Sequence, residues 1–364
     1  MYYIPFQENG NCTKLFFNNY LIDTEMKVFN YHKERMNRLM WADSLRGMLI
    51  ILVILGHAIQ YGTGGGCFDN HLWNMIYSFH MPAFMAISGW FAYRVNRDVS
   101  GYYKNFVRRI LQLLIPYFIW SILKWITMGA NIYMIENIIL QPDSYFWFLW
   151  VLFWICSIFL LSQWIAYKLR IEQLILIIIN SLLLMGIMVS MDIRVFGFQF
   201  IAYYFIFFTM GYCIRRYRLL QIKSNVFVAC FIFVWMLLAW FWNMHELPSW
   251  IPNIPHIPMS LLQYAYRGIT AVIAISIIFS MSPKLLDTVS AWNIPFVRMG
   301  QISLGIYVVH LLLIPHITRF IGQWIANTNF IILSSFVIVG ILSMIIVSLL
   351  NKWQFISRLF LGKI

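Results

Sequence analysis

Asp43-Ser44-Leu45-Arg46-Gly47-Met48-Leu49-Ile50-Ile51-Leu52-Val53-Ile54-Leu55-Gly56-His57 sets an arginine and a histidine on a run apolar enough to cross a bilayer. On a helix, that separation at about 100° per residue is roughly three whole turns, so Arg46 and His57 share one face about 16 Å apart along the axis. One helix then presents a permanent cation near one membrane surface and a titratable base near the other. Ionisable groups at such depth are costly and mark function by default. Asp43, one turn before Arg46, is placed to orient it by an ion pair.

The rest of the chain has the composition that such a helix requires. Of 364 residues, 61% are hydrophobic, 18% aromatic and only 11% charged, with mean hydropathy +0.73. These values exclude a soluble domain and indicate an all-α, polytopic transmembrane helical bundle. Runs of about 20 apolar residues predict ten helices, over 41–61, 71–93, 110–129, 146–167, 172–190, 196–214, 225–242, 259–280, 300–321 and 329–350.

The formal charge of +13 would suggest nucleic acid if it lay on a soluble domain. Its placement gives another meaning. With the N-terminus in the cytoplasm, Lys and Arg gather in the tail before residue 40, between Arg94 and Arg109, at Lys168 and Arg170, between Arg215 and Lys223, at Lys284 and Arg298, and after residue 350. Only Arg194 and Arg319 fall on the opposite side, and Arg46, Lys124 and Arg267 lie within spans. The positive-inside rule therefore puts both termini in the cytoplasm and predicts no nucleic-acid partner. The domains expected are a cytoplasmic tail over 1–40, a transmembrane domain over 41–350 and a short cytoplasmic tail over 351–364.

The first 40 residues lack the continuous apolar core of a cleavable signal peptide, so the first span is expected to act as its own signal. The five cysteines, Cys12, Cys67, Cys156, Cys213 and Cys230, lack metal-ligand spacing, and no metal site or disulfide framework is expected. Tyr102-Tyr103-Lys104-Asn105-Phe106-Val107-Arg108-Arg109 interleaves aromatics with cations, which suits a short interfacial helix touching anionic headgroups or an anionic cytoplasmic ligand. The stretch from Pro248 to Pro258 is a stiff connector, or a lip in which Trp250 and His256 stack on a polar ring.

Further polar residues lie deep in the later spans. Pro82, in Ser78-Phe79-His80-Met81-Pro82, would free the carbonyl near residue 78, and Ser88-Gly89 permits a close backbone approach or a local break. His80 is nearly mid-membrane. Arg267, about 12 Å from the outer end of its span, needs a counter-ion, water or an anionic ligand. The carboxylates Glu136, Asp143, Asp192 and Glu246 belong to external loops. Ser303, Tyr307 and His310 fall within about 60° of one another on a helical wheel. Singly, Arg46 reads as a snorkelling anchor and each histidine as a packing residue as readily as a functional one. Three histidines and two arginines in four helices favour a polar cavity, with His57 the preferred base.

These residues carry a family resemblance: Arg46 and His57, then Phe79-His80-Met81-Pro82-Ala83-Phe84 with Ser88-Gly89, then Trp147-Phe148-Leu149, then Ser303-Leu304-Gly305-Ile306-Tyr307-Val308-Val309-His310. Their order and spacing resemble the acyltransferase 3 family, especially its stand-alone fucose 4-O-acetylase-like members, over residues 38 to 350. The resemblance implies a multi-pass enzyme of the inner (plasma) membrane that moves an acyl group, usually acetyl, from cytoplasmic acyl-CoA to a hydroxyl of an extracytoplasmic carbohydrate or lipid-linked glycan. No cofactor would be tightly bound, and acetyl-CoA would be a co-substrate. Arg46 and His57 carry over as the residues on which members depend. Arg46, assisted by Arg108 and Arg109, would hold the CoA phosphates. His57 would deprotonate the acceptor, with His80 and His310 as catalytic helpers. Arg267, Tyr307, Ser303, Ser88, Trp147 and Asp43 are the candidates for shaping the substrate site. With no fused hydrolase-like domain, transfer would be direct or through a separate glycan-biosynthesis protein. The rival reading is a transporter or flippase for a polar anionic or sugar substrate, whose usual internal repeats are not evident.

Overall fold

The computed structural model describes residues 40–93, 101–127, 135–191, 193–219, 224–252, 257–286 and 293–363, together with 129, 131, 254 and 255. Most of the expected N-terminal tail, as well as Arg94, Arg97, Lys223 and His256, lie outside the described residues. Each of the ten predicted spans coincides with helix. Eight are long and apolar enough to cross a membrane: α1 (Met40–Gly62), α4 (Tyr102–Thr127), α5 (Trp147–Leu169), α6 (Gln173–Ser190), the span Val195–Arg216 whose α-helical part is α7 (Phe198–Arg216), α9 (Met259–Leu286), α11 (Ser303–Gly322) and α12 (Thr328–Leu350). The other two differ from an unbroken span. α8 (Asn225–Trp240) has only 16 residues, and the second span is two helices, α2 (His71–Tyr77) and α3 (His80–Ala92).

The break in the second span has a local cause. Pro82 has no N–H to give to the carbonyl of Ser78, so the helix is released there rather than bent at the proline itself. Phe79 takes φ −141°, and α3 restarts with Pro82 in its first turn, where a missing donor costs nothing. Ser88-Gly89, by contrast, continues the helix. Gly89 lies against the backbone of Phe208, and Gly211 against that of Ala86, so a Cβ at either would strike the facing chain. With no hydrophobic drive between helices in lipid, such small-residue contacts let α3 and α7 pack closely.

A second reciprocal pair joins α1 to α10 (Ile294–Gln301): Gly47 lies against Phe296 and Gly300 against Asp43, backbone to backbone. The Ser44 hydroxyl donates to Asn293 Oδ1 below the same contact. The element carrying Arg46 is thus fixed against the one that leads into α11. In α5, 72% of the most apolar window is buried inside the protein, against 22% in α12, which makes α5 central and α12 a lipid-facing rim.

The segment Tyr102–Arg109 does not lie apart as an interfacial helix. It runs through a π-helical turn at Ile110–Leu114 directly into the rest of α4. Pro116 explains the wide turn, because it cannot donate to the carbonyl of Gln112. That carbonyl faces Gly362, whose φ of +62° a residue with a Cβ would resist. The C-terminal segment contains α13 (Gln354–Leu361), held on α4 by Trp120 Nε1 donating to the Phe360 carbonyl at 2.7 Å.

Candidate active site

Three imidazoles meet where α1, the α2–α3 break and α11 converge. The His57 and His310 rings are 5.3 Å apart, and Tyr77 stands edge-on to both His57, at 6.4 Å, and His80, at 4.7 Å. Each histidine directs Nδ1 to an oxygen: His57 to Gln60 Oε1 at 3.2 Å, His80 to the Ile76 carbonyl at 2.7 Å, and His310 to the Ile306 carbonyl at 2.9 Å. An oxygen that only accepts makes Nδ1 the protonated nitrogen, so each neutral ring presents the Nε2 lone pair. The His310 Nε2 is buried with no hydrogen-bond partner. Gln60 Oε1 also accepts from the Tyr77 hydroxyl at 3.2 Å, so one amide oxygen orients the base and the tyrosine together.

Alongside this cluster, toward Arg46, runs a cavity of about 220 Å³. Arg46, Ile50 and Val53, on successive turns of α1, form one wall, with Phe84 and Ser88 of α3 and Tyr307 of α11 among the other lining residues. The Arg46 guanidinium lies 4.2 Å from the centre of the Phe91 ring, and its Nη1 is 3.4 Å from Asp43 Oδ1. Asp43 Oδ2 in turn accepts from Gln301 Nε2 at 3.5 Å. Arg46 is therefore held by one carboxylate and one ring while still facing the cavity. Such a planar, permanently charged donor suits a phosphate. Val53 is one turn, about 6 Å, short of His57. Tyr307 stands between the cavity and the imidazoles, its ring 5.9 Å from His310 and its hydroxyl accepting from the Phe148 N–H at 3.3 Å.

A second polar region adjoins the histidines. Trp147, at the start of α5, stacks on Phe200 at 5.0 Å and on Tyr204 at 5.3 Å. Tyr203 continues this track and lies 5.4 Å from the Arg267 guanidinium, which Trp242 and Tyr264 flank at 5.5 and 5.9 Å. The Arg267 Nε is buried without a hydrogen-bond partner.

The candidates therefore divide into groups. Arg46, Ser88, Ser303 and Tyr307 line the cavity, with Asp43 behind Arg46. His57, His80 and His310 form the adjoining cluster, and Trp147 and Arg267 belong to the aromatic track. Arg108 and Arg109 are not among the residues lining the cavity: Arg108 is exposed and Arg109 bonds Gln112 Oε1 at 3.1 Å. Ser88 spends its hydroxyl on the Phe84 carbonyl at 2.9 Å. Sequence reasoning missed Gln60 and Tyr77. Gln60 was accessible to it, since it lies one turn from His57 on the same face. Tyr77 was not, because the α2–α3 break sets its direction.

The acyltransferase domain that defines the acyltransferase 3 family matches residues 39–351. The chain is 25% identical to the nodulation protein NolL of Sinorhizobium fredii over 352 residues, 90% of this chain and 92% of that one. It is 33% identical to NolL of Mesorhizobium japonicum over 128 residues, 32% of this chain and 34% of that protein. No solved structure matches. With the family domain spanning the whole membrane bundle and all of the polar site, the chain belongs to the acyltransferase 3 family and is a multi-pass membrane acyltransferase.

Proposed function

We propose that the protein transfers an acyl group, acetyl foremost, from cytoplasmic acyl-CoA to a hydroxyl of an extracytoplasmic or lipid-linked carbohydrate. The observation that carries this reading is the order along α1: a cavity-facing cation at Arg46, then about 16 Å further on a base whose Nδ1 is already engaged. The positive-inside distribution supports a cytoplasmic Arg46 end, the side of the CoA pool, and a site in the plasma membrane is part of the proposal.

In this mechanism Arg46, braced by Asp43, holds a CoA phosphate, and the pantetheine arm runs along Ile50 and Val53. Tyr307 turns aside to admit the thioester to the histidine cluster. His57 Nε2 takes the proton of the acceptor hydroxyl as its oxygen attacks the carbonyl carbon. The tetrahedral intermediate collapses with cleavage of the C–S bond, and the imidazolium returns the proton to the leaving thiolate, giving an O-acyl sugar and CoA-SH. Gln60 keeps the imidazole in the tautomer and orientation that this step requires. The buried, unpartnered Nε2 of His310 accepts a second hydroxyl of the same sugar and so selects which oxygen faces His57.

The test is CoA release by the purified protein in nanodiscs with acetyl-CoA and sugar acceptors. We expect His57→Ala to lower release by about 10³-fold while acetyl-CoA still stabilises the folded protein. Normal turnover in that variant would overturn the role of His57. Passage of unmodified sugar into proteoliposomes without acyl-CoA would overturn the enzymatic reading in favour of transport.

A further inference from the structure

Arg267 is a permanent cation inside a membrane span, and the described residues offer it no carboxylate. The described ion pairs join Arg46 to Asp43 and Arg216 to Glu172, and neither involves Arg267. Its surroundings are the rings of Tyr203, Trp242 and Tyr264, and its Nε is buried with its hydrogen bond unmade. A ring face attracts a cation without accepting its N–H groups in their plane, so the donor edge of the guanidinium remains available. Leaving a charged donor buried and unsatisfied is costly, a cost that a bound anion would remove.

The place of this cation determines what the anion belongs to. Trp242, which flanks Arg267, packs in one buried cluster with Ile59 and Trp73; Trp73 stacks on Tyr77 at 3.8 Å, and Tyr77 shares Gln60 with His57. Trp147 stacks on Tyr204, and Tyr204 meets Tyr203 edge-on, so aromatic rings lead from the start of α5 to Arg267, and aromatic rings are what the apolar face of a sugar packs on. Lys124, with Nζ donating to the Ser144 carbonyl and 5.8 Å from the Phe146 ring, which meets Tyr307 at 6.4 Å, adds a second positive charge on the side of the histidine cluster. Base, aromatic track and cation thus occupy one region, distinct from the cavity that begins at Arg46.

We infer that the acceptor is an anionic carbohydrate, whose carboxylate or phosphate is held by Arg267 while one of its hydroxyls lies at His57 Nε2. This inference rests on the acyl-transfer reading for the hydroxyl's role, but the anion subsite itself is measurable by binding alone. The experiment uses the full chain in phosphatidylcholine nanodiscs and compares methyl glucoside, methyl glucuronide and glucose 1-phosphate, by thermal stabilisation for binding and by CoA release for transfer. We expect the two anionic sugars to bind at least about tenfold tighter than the glucoside. That preference is lost in Arg267→Gln, retained in part in Arg267→Lys, and kept in His57→Ala, which transfers about 10³-fold more slowly. Stabilisation by acetyl-CoA shows that each variant is folded.

Equal binding of all three sugars, or a preference that survives Arg267→Gln, overturns the inference. CoA release with the glucoside alongside such a result leaves the acyl-transfer reading standing. An Arg267-dependent preference with no CoA release from any acceptor supports the subsite and sinks the transfer reading instead. A parallel set with phosphatidylglycerol in the discs identifies the other source of an anion: stabilisation by that lipid, lost in Arg267→Gln and with no response to either anionic sugar, assigns the cation to a headgroup and overturns the inference.

Discussion

Arg46 and Arg267 are both guanidinium groups within membrane spans, yet the protein neutralises them differently. Arg46 has Asp43 one turn away and Phe91 beneath it, and still faces the cavity. Arg267 has three rings and an unmet Nε. A cation that binds one constant ligand profits from a fixed carboxylate, which sets its direction before the ligand arrives. A cation caged by rings alone is costly to bury without a partner, and the cost favours whatever anion arrives there. On the proposed mechanism, the comparison separates a preorganised donor end from an acceptor end whose electrostatics are completed by the substrate.

The largest expected effect belongs to the residue that both ends share. His57→Ala is expected to lower the transfer rate by about 10³-fold, within the range of losing a general base, with acetyl-CoA affinity intact; parallel measurement of CoA release and donor binding checks both. If donor affinity fell as far as the rate, His57 would belong to the Arg46 end and the division would fail.

Next in size is Arg46→Ala, for which we expect the KM for acetyl-CoA to rise about a hundredfold as a phosphate contact is lost, with Arg46→Lys between it and the native protein. Steady-state kinetics in acetyl-CoA and in desphospho analogues give the measurement. Equal KM values for Arg46→Ala and the native protein would leave Arg46 as an interfacial anchor. Gln60→Leu is expected to cost about tenfold in kcat with little change in KM, because the imidazole loses the acceptor that fixes its tautomer. An unchanged kcat would mean that packing against Tyr77 alone holds the ring.

These residues also show what could be read in the chain and why the rest could not. The spans were legible because bilayer thickness imposes a length and composition on every helix, whatever its neighbours. The pairing of Arg46 with Asp43, and the shared face of Tyr307 and His310, were legible because helical periodicity fixes both. The break at Phe79 was half legible: Pro82 foretold the freed carbonyl of Ser78, whereas only the structure shows the helix restarting at His80. Long-range contacts had no such signal. Gly47 against Phe296 and Gly89 against Phe208 depend on which helices meet, and no local rule decides that. The position of Arg108 and Arg109 outside the cavity lining had no such signal either. Their charge and interfacial pattern were real, but the continuous α4 leaves Arg108 exposed and ties Arg109 to Gln112.

Ser88 provides the smallest effect and the sharpest check on how the donor end works. It lines the cavity with Arg46, so proximity alone would make it a ligand for the pantetheine arm. Its hydroxyl, however, donates to the Phe84 carbonyl one turn back, an intrahelical bond that serines in membrane spans commonly make. A donor already engaged has little to gain from a substrate amide, and exchanging one partner for another is nearly neutral. Ser88→Ala removes the hydroxyl without adding bulk beside Gly89, so the close packing of α3 on α7 is preserved. We therefore expect kcat and the KM for acetyl-CoA to stay within about twofold of the native values, the scale of a surface-like substitution. A tenfold rise in KM would show that the hydroxyl swings from Phe84 to the donor. The donor end would then be completed on binding, as we propose for the Arg267 end, and the contrast between the two arginines would disappear.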